Sequence, residues 1–223
     1  MNAQIHTIAE AARRILEALP SDVLLLAAAK TRSLEEVEAV IQAGVTHIGY
    51  NYVQEALPII QSIGNRATWH MIGHLQQNKV KTAVRFFDMI ETVDSWRLAQ
   101  SLEQYSTALG KRISVLIEIN SGREANKTGV FPEGVEALVL QMSTLRYLQV
   151  EGLMTMGPRF GNPEDARPYF KATRGIYERL TTVNLPNITM RYLSMGMSNS
   201  YLVAIEEGAN IVRIGTRLFG ERR

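Results

Sequence analysis

Lys30 is the side chain whose type and position point most directly to chemistry. It follows an apolar run at residues 23–29, so its amine lies where a buried strand would end. Apolar surroundings disfavour the ammonium form, and a neutral amine is a nucleophile that can form a Schiff base with a carbonyl group. A lysine that merely extends from a strand end into solvent gives the same pattern, and the pattern alone favours that simpler interpretation.

Two short turns near the carboxyl end have the composition of phosphate-binding sites. In residues 193–198, Gly196 allows a tight turn, while the hydroxyls of Ser194 and Ser198 and the N–H groups of the following helix are donors. On its own, this turn is better explained as an ordinary strand–helix junction with a serine N-cap.

The second turn lies in residues 212–216, where Gly215 and Thr216 supply another N–H group and hydroxyl. Phosphate sites built from the last two loops are frequent in barrels of alternating strands and helices. The two turns together are therefore stronger evidence for a phosphate site than either turn alone. Arg213 precedes this turn, and its simplest interpretation is a salt bridge inside the mouth of such a barrel.

Two further features are less specific candidates for a functional site, one for metal binding and one for ligand binding. His70 and His74 are four residues apart, as in half of a metal site, but the chain has no cysteine and no third ligand stands out. We therefore expect one hydrogen-bonded histidine, one loop histidine and no metal. The polar segment 120–129 is either a ligand-binding loop or simply a loop.

The elements that must position these residues are eight apolar, β-rich runs that alternate with helical patterns, after an amphipathic helix over residues 1–18. The runs end near residues 30, 51, 73, 93, 120, 156, 195 and 215. The alternation predicts an α/β fold with parallel strands, and eight units predict one closed (β/α)8 TIM barrel over residues 1–223. An open doubly wound sheet is the alternative, but no G-x-G-x-x-G motif follows the first strand. Ser33 and Asp94 are expected to cap helices.

Composition excludes several classes of protein. The 223 residues are 46% hydrophobic and 21% charged, which is typical of globular proteins and not of disordered chains. The absence of cysteine removes thiol nucleophiles, zinc ribbons and iron–sulfur clusters. Basic residues are not clustered, so we expect no nucleic-acid partner. No apolar run is long enough to span a bilayer and no signal peptide is evident, so we expect a cytoplasmic protein without a membrane partner.

Taken together, the motifs resemble the pyridoxal-phosphate homeostasis protein family. The similar segments are, in order, residues 28–31, 49–55, 69–76, 78–79, 93–95, 120–129, 152–155, 194–198, 212–216 and 219–220. They run nearly from end to end, and their order and spacing are highly specific. The family is similar to the barrel half of alanine-racemase-type enzymes, so the resemblance implies the barrel of fold type III pyridoxal-phosphate enzymes.

The resemblance also implies the cofactor and its contacts. It implies that Lys30 holds pyridoxal 5′-phosphate (PLP) as an internal aldimine, that Arg213 faces the pyridine nitrogen, and that Asn51 and His70 line the pocket. The implied phosphate ligands are Ser198, Gly215 and Thr216, with the turn of Met195, Gly196 and Met197 beside Ser194.

Three positions depart from the pattern of the family. Ala29 stands where serine is often found, Tyr50 where glutamate is usual, and Ser200 where an acid is usual. We expect these departures to change local hydrogen bonds around the pocket and not cofactor binding itself.

Arg213 also bears on catalysis. A guanidinium group cannot accept a proton and repels a protonated pyridine, so the ring would be a weak electron sink. Racemisation further needs an acid or base on the opposite face, which a second β-domain of the partner subunit supplies in the similar racemases. The sequence ends soon after Gly220, so we expect no such domain here.

We therefore expect a monomeric carrier that holds PLP without turnover and serves PLP-dependent apo-enzymes. One alternative is a weak amino-acid racemase or another PLP-dependent amino-acid enzyme. A second is a protein-binding regulator in which the cofactor is structural.

Overall fold

The computed structural model describes residues 3–158 and 160–221, which form a closed barrel of eight parallel strands. Each strand pairs with the next, and the eighth pairs with the first. The strands are β1 (Leu24–Ala28), β2 (His47–Tyr50), β3 (Thr68–Met71), β4 (Met89–Val93), β5 (Ile113–Ile119), β6 (Leu148–Thr155), β7 (Ile188–Met197) and β8 (Ile211–Ile214). This confirms the predicted barrel. The predicted ends near residues 30 and 73 lie two residues beyond the ends of β1 and β3, and the predicted end near residue 195 lies two residues before the end of β7.

Helices cover the outside of the barrel, and an additional helix precedes the first strand, as predicted. They are α1 (Ala3–Ala18), α2 (Leu34–Gln42), α3 (Val53–Ile63), α4 (Val80–Phe86), α5 (Trp96–Leu109), α6 (Val135–Met142), α7 (Arg167–Thr181), α8 (Tyr201–Glu206) and α9 (Thr216–Phe219). The first two residues of the predicted helix 1–18 lie outside the described residues. Within the described ranges, no helix combines the length and the apolar composition needed to cross a lipid bilayer.

The two predicted helix caps have different outcomes. Ser33 begins α2 with a capping box, in which its hydroxyl accepts from the Glu36 N–H group and the Glu36 carboxylate accepts from the Ser33 N–H group. The prediction that Asp94 caps α5 is wrong. Ser95 is the N-cap, because its backbone is extended and its hydroxyl accepts the Leu98 N–H group at 3.3 Å. Asp94 instead lies 3.8 Å from the imidazole of His74.

The hydrophobic core has an outer layer and an inner part. The outer layer lies between sheet and helices and includes Val40, Leu102 and Phe170, all fully buried. Among the described residues, the barrel interior holds two small apolar clusters, one of Leu26, Ile72 and Ile211 and one of Met89, Leu116 and Met154. Polar side chains therefore occupy part of the barrel interior, beneath the carboxyl ends of the strands.

Candidate functional site

A cavity of about 370 Å³ opens at the carboxyl-terminal end of the barrel. A volume of this size is typical of small-molecule sites, and this end of the barrel is where such sites are expected. Seven of the predicted site residues line it: Lys30, Asn51, Met197, Ser198, Arg213, Gly215 and Thr216. The structure thus brings together residues from β1, β2, β7 and β8 that are far apart in the sequence.

Lys30 lies just beyond β1 and beside the turn that follows β8. The parallel register pairs Ala27 with Ile214, so the next residues along, up to Lys30, run next to Gly215. Thr31 follows in the left-handed region with φ 62°, which is costly for a β-branched residue. Its N–H group donates to Glu55 at 3.3 Å. The chain therefore leaves the barrel abruptly after Lys30, which lies half-buried in the cavity wall.

The two predicted phosphate turns form one continuous surface. The Gly215 N–H group donates to Ser198 Oγ at 3.1 Å, which joins the turn after β7 to the turn after β8. Ser198 is not a helix N-cap, because α8 begins at Tyr201. The Ser200 hydroxyl instead accepts the Met197 N–H group at 3.4 Å, which stabilises the turn after β7.

Gly196 allows α8 to pack against this turn. Its φ is 86°, a conformation that side-chain-bearing residues rarely adopt. A Cβ atom at this position would lie 2.6 Å from the Cβ of Ala204 and 2.9 Å from the Cα of Tyr201. The turn therefore requires glycine for both its backbone conformation and its close contact with α8.

Arg213 extends from β8 across the barrel interior to the floor of the cavity. Its Nη1 donates to Ser194 Oγ at 2.6 Å, and its Nη2 donates to the Thr155 carbonyl at 2.8 Å. Nη1 also lies 4.0 Å from Glu91 Oε2, so the simple alternative of a salt bridge in the barrel mouth is realised as well. Burial lowers the pKa of Arg213, while the charges of Glu91 and Glu118 oppose that shift.

His70 lies in the barrel interior and not in the cavity wall. Its Nδ1 is 2.7 Å from Glu91 Oε1 and its Nε2 is 2.9 Å from His47 Nδ1, so both ring nitrogens have partners. Ile72, two residues further along the same face, reaches the wall in its place. His70 can therefore affect a ligand only through the groups to which it is hydrogen-bonded.

Three more predicted residues lie outside the cavity wall. Ser194 faces the barrel interior, where it contacts Arg213. Met195 packs into the outer core layer, and Gly196 shapes the turn behind the wall.

His74 is in a loop, with its side chain 55% exposed. In the described part of the chain, no three or more histidine, aspartate or glutamate side chains are grouped in a way that could hold a metal ion.

Asn120 folds the polar loop 120–129 back on itself. Its amide donates to the carbonyls of Glu124 and Lys127, and its Oδ1 accepts the Glu124 N–H group. Residues of this loop are not part of the described cavity wall. A structural role explains Asn120.

Sequence reasoning missed two charged residues of the site. Glu91 is fully buried in β4, and the signal for it was an acidic residue inside the apolar run 89–93. Arg32 lines the cavity and donates to the carbonyls of Phe219 and Gly220, which ties the loop after β1 to the end of α9. No pattern in the sequence indicated Arg32.

The three departures from the family pattern lie behind the cavity. Ala29 and Tyr50 pack in the outer core layer, where Tyr50 lies next to Trp69 with ring centroids 6.5 Å apart. Burial raises the pKa of the Tyr50 hydroxyl, which has no hydrogen-bond partner in the described part of the chain. Ser200 supports the turn after β7 and does not enter the wall.

Comparison with known proteins gives a consistent picture. The model of the family described as "Alanine racemase, N-terminal domain" matches residues 3–223. The pyridoxal phosphate homeostasis protein of Aquifex aeolicus is 41% identical over 200 residues, which are 89% of this chain and 87% of that protein.

Two solved structures extend the comparison. PipY of Synechococcus elongatus with PLP bound is 33% identical, with a TM-score of 0.87 over 96% of this chain and 100% of that chain. Alanine racemase of Clostridium difficile has a TM-score of 0.81 at 17% identity, over 97% of this chain and 57% of that chain, which shows a shared fold.

Proposed function

Because the chain belongs to the pyridoxal phosphate homeostasis protein family, whose fold is that of the alanine racemase N-terminal domain, we propose that it binds PLP in the cavity at the carboxyl end of the barrel. The role we propose is intracellular PLP homeostasis without catalytic turnover. The observation that carries the proposal is the convergence of Lys30, the linked turns of Ser198 and Gly215, and Arg213 on one cavity. The PLP-bound structure of PipY supports it.

The residues of the cavity fit the three functional groups of PLP. The Lys30 amine would condense with the aldehyde to form a Schiff base and release water. The turns that contain Ser198 and Thr216 offer hydroxyl and N–H donors to the phosphate dianion. Arg213 can donate a hydrogen bond to the pyridine nitrogen, because a guanidinium group has only donors. The cofactor would supply a reactive aldehyde and an aromatic ring that accepts electron density.

The composition of the cavity wall supports a role without turnover. Among the described residues, its charged side chains are Lys30, Arg32 and Arg213, and it contains no carboxylate, histidine or tyrosine. Racemisation needs one acid or base on each face of the cofactor, and Lys30 can serve only one of them. Arg213 also disfavours protonation of the ring nitrogen, which limits carbanion chemistry.

Absorption spectroscopy of the purified protein tests PLP binding and its attachment. We expect a visible Schiff-base band after incubation with PLP, and we expect Lys30→Ala to abolish it. Lys81→Ala removes an exposed amine of α4 that does not line the cavity and is the matched control, with an unchanged band expected. A wild-type protein without the band, or a Lys30→Ala variant that keeps it, would show that the assignment is wrong.

Two assays of the PLP-loaded protein distinguish catalytic turnover of an amino acid from transfer of PLP to another enzyme. Incubation with L-alanine should yield no D-alanine at ordinary enzyme rates, whereas steady turnover would favour the weak-racemase alternative. Addition of a PLP-dependent apo-enzyme should restore activity to that enzyme as the Schiff-base band of the carrier declines.

The proposed monomeric state has its own test. Light scattering during size-exclusion chromatography should give the mass of a monomer.

A further inference from the structure

A chain of hydrogen bonds crosses the barrel interior beneath the cavity. From the cavity downward it links Arg213, Ser194, Glu91, His70 and His47, with successive distances of 2.6, 2.6, 2.7 and 2.9 Å. The middle members are shielded from solvent, since His70 is 1% exposed and Glu91 and Ser194 are 0% exposed. The chain joins β8 and β7 to β4, β3 and β2 across the barrel.

The direction of these hydrogen bonds follows from the chemistry of the groups. Burial would raise the pKa of Glu91, but His70, Arg213 and Ser194 together lower it below its ordinary value, so Glu91 is a carboxylate that only accepts. Arg213 only donates, so its acceptor is Ser194 Oγ, and the Ser194 hydroxyl proton points to Glu91 Oε2. His70 donates from Nδ1 to Glu91 Oε1.

The lower end of the chain is the contact between His70 and His47. Burial, followed by the nearby His70, lowers the pKa of His47 to about 4, so His47 is neutral at neutral pH. His47 Nδ1 and His70 Nε2 share one hydrogen bond, and its direction is set by which of the two nitrogens carries the proton. The other donors of the chain, on Arg213, Ser194 and His70 Nδ1, all point towards Glu91.

Glu91 is also the nearest negative charge to Arg213. A buried guanidinium group is costly unless a counter-charge and hydrogen bonds compensate it, and Arg213 is 4% exposed. The carboxylate lies 4.0 Å away and acts on it directly by charge and indirectly through Ser194. Without Glu91, the Ser194 acceptor would lose the group that orients it, and among the described residues Arg213 would keep only the charge of Glu118, with which no ion pair is formed.

We propose that Glu91 is a positioning residue for the pyridine end of the bound cofactor, acting through Ser194 on Arg213. His70 and His47 hold the second carboxylate oxygen and so fix Glu91 itself. This inference rests on the proposed function, because it assigns Arg213 to the ring nitrogen of PLP. If Glu91 has this role, the affinity for PLP and the protonation of the pyridine ring both depend on the Glu91 carboxylate, which does not line the cavity.

Glu91→Gln tests the proposal, because glutamine has nearly the same shape but turns one acceptor oxygen into a donor. The new amide N–H group would face another donor, either the Ser194 hydroxyl or the His70 Nδ1–H group, so one of these hydrogen bonds is lost. We expect PLP to bind about tenfold more weakly, as for the loss of a hydrogen bond to a charged group. We also expect the pH dependence of the Schiff-base band to shift, because a displaced Arg213 no longer keeps the ring nitrogen unprotonated.

Glu118→Gln is the matched control on the neighbouring strand β5. Glu118 is 2% exposed and accepts from Thr128 at 2.9 Å. It acts on Arg213 by charge but has no described hydrogen bond to Arg213 or Ser194, so it separates the effect of the hydrogen-bond chain from that of a nearby buried carboxylate. The same substitution there should leave PLP affinity within about twofold of wild type and the pH profile of the band unchanged. Equal losses in both variants would overturn the specific role of Glu91.

A double variant tests whether Glu91 acts through Arg213. In an Arg213→Gln background, the further change Glu91→Gln should alter PLP affinity by less than about twofold, because coupled residues are not additive. The double variant also removes both buried charges. If Glu91→Gln fails to fold while the double variant folds, the pairing of the two charges is supported.

Two results would overturn the inference. One is a folded Glu91→Gln variant with unchanged affinity and an unchanged pH profile. The other is a loss of affinity that persists fully in the Arg213→Gln background. Either result leaves the proposed function intact, provided that wild type shows the Schiff-base band and Lys30→Ala does not. A wild-type protein that binds no PLP overturns both.

Discussion

Replacement of Gly196 by alanine tests the construction of the turn after β7. The backbone at Gly196 has φ 86°, and a non-glycine residue in such a conformation costs about 1–3 kcal/mol. The added methyl group would lie 2.6 Å from the Cβ of Ala204 and 2.9 Å from the Cα of Tyr201, and overpacking of this kind costs about 1–3 kcal/mol. We therefore expect Gly196→Ala to lower the free energy of unfolding by about 2–6 kcal/mol.

Gly175 provides the opposite case within the same protein. It lies inside α7, and a Cβ atom there would meet no heavy atom within 4 Å. Alanine at an unhindered helix position is favoured over glycine, so Gly175→Ala should raise the free energy of unfolding by about 0.5–1 kcal/mol. The two variants make the same chemical change and should move stability in opposite directions.

Urea unfolding followed by far-ultraviolet circular dichroism measures both effects. The transition midpoint should fall for Gly196→Ala and rise slightly for Gly175→Ala, with similar slopes. PLP titration adds a second readout, because Gly196→Ala should weaken binding and Gly175→Ala should not. If Gly196→Ala lost less than about 1 kcal/mol, the stated cost of the close contact and the positive φ would be refuted.

Three other features of the structure predict effects of substitutions on stability. Ser95→Ala should lower the free energy of unfolding by about 1 kcal/mol through loss of the α5 cap, and Asp94→Ala should lower it less, as chemical denaturation would show. Asn120→Ala should lower it by about 2 kcal/mol, because three hydrogen bonds are lost, and limited proteolysis should then cut the loop 120–129 faster. The His47 pKa is about 4 in the fold and about 6.5 when unfolded, so the unfolded state binds more protons between these values. Stability should therefore fall by about 1–2 kcal/mol as the pH drops from about 6.5 to about 4, allowing for partial exposure of the side chain. His47→Asn, which keeps a donor near Nδ1, should flatten that dependence, and an unchanged pH profile would contradict it.

The sequence allowed the barrel and the end that bears the cavity to be predicted. Apolar runs that alternate with helical patterns dictate parallel strands, and the carboxyl ends of such strands meet at one end of a barrel. The positions of Lys30, Asn51 and the Gly215 turn at this end of the barrel therefore follow from the predicted ends of their strands. Their side chains follow strand ends directly, so small errors in strand boundaries did not affect them.

Contacts across the barrel interior could not be predicted in this way. Glu91 and Arg213 lie on β4 and β8, far apart in sequence and on opposite sides of the barrel, so no local pattern relates them. His70 was expected on the cavity wall, but depth along a strand decides whether a side chain reaches the wall, and Ile72 reaches it instead. Met195 follows the inward-facing Ser194 and packs in the outer core layer, as simple alternation requires. The register shift between Ser194 and Met197 then interrupts the alternation, and Met197 reaches the cavity wall.

The pairing of β1 with β8 has a consequence for the biosynthesis of the protein. Lys30 emerges from the ribosome well before Gly215, and only closure of the barrel places them side by side. A nascent chain that lacks β8 has the amine but lacks the second turn and Arg213. The proposed capture of PLP therefore requires closure of the barrel, and acquisition of the Schiff-base band during cell-free translation would report directly on that closure.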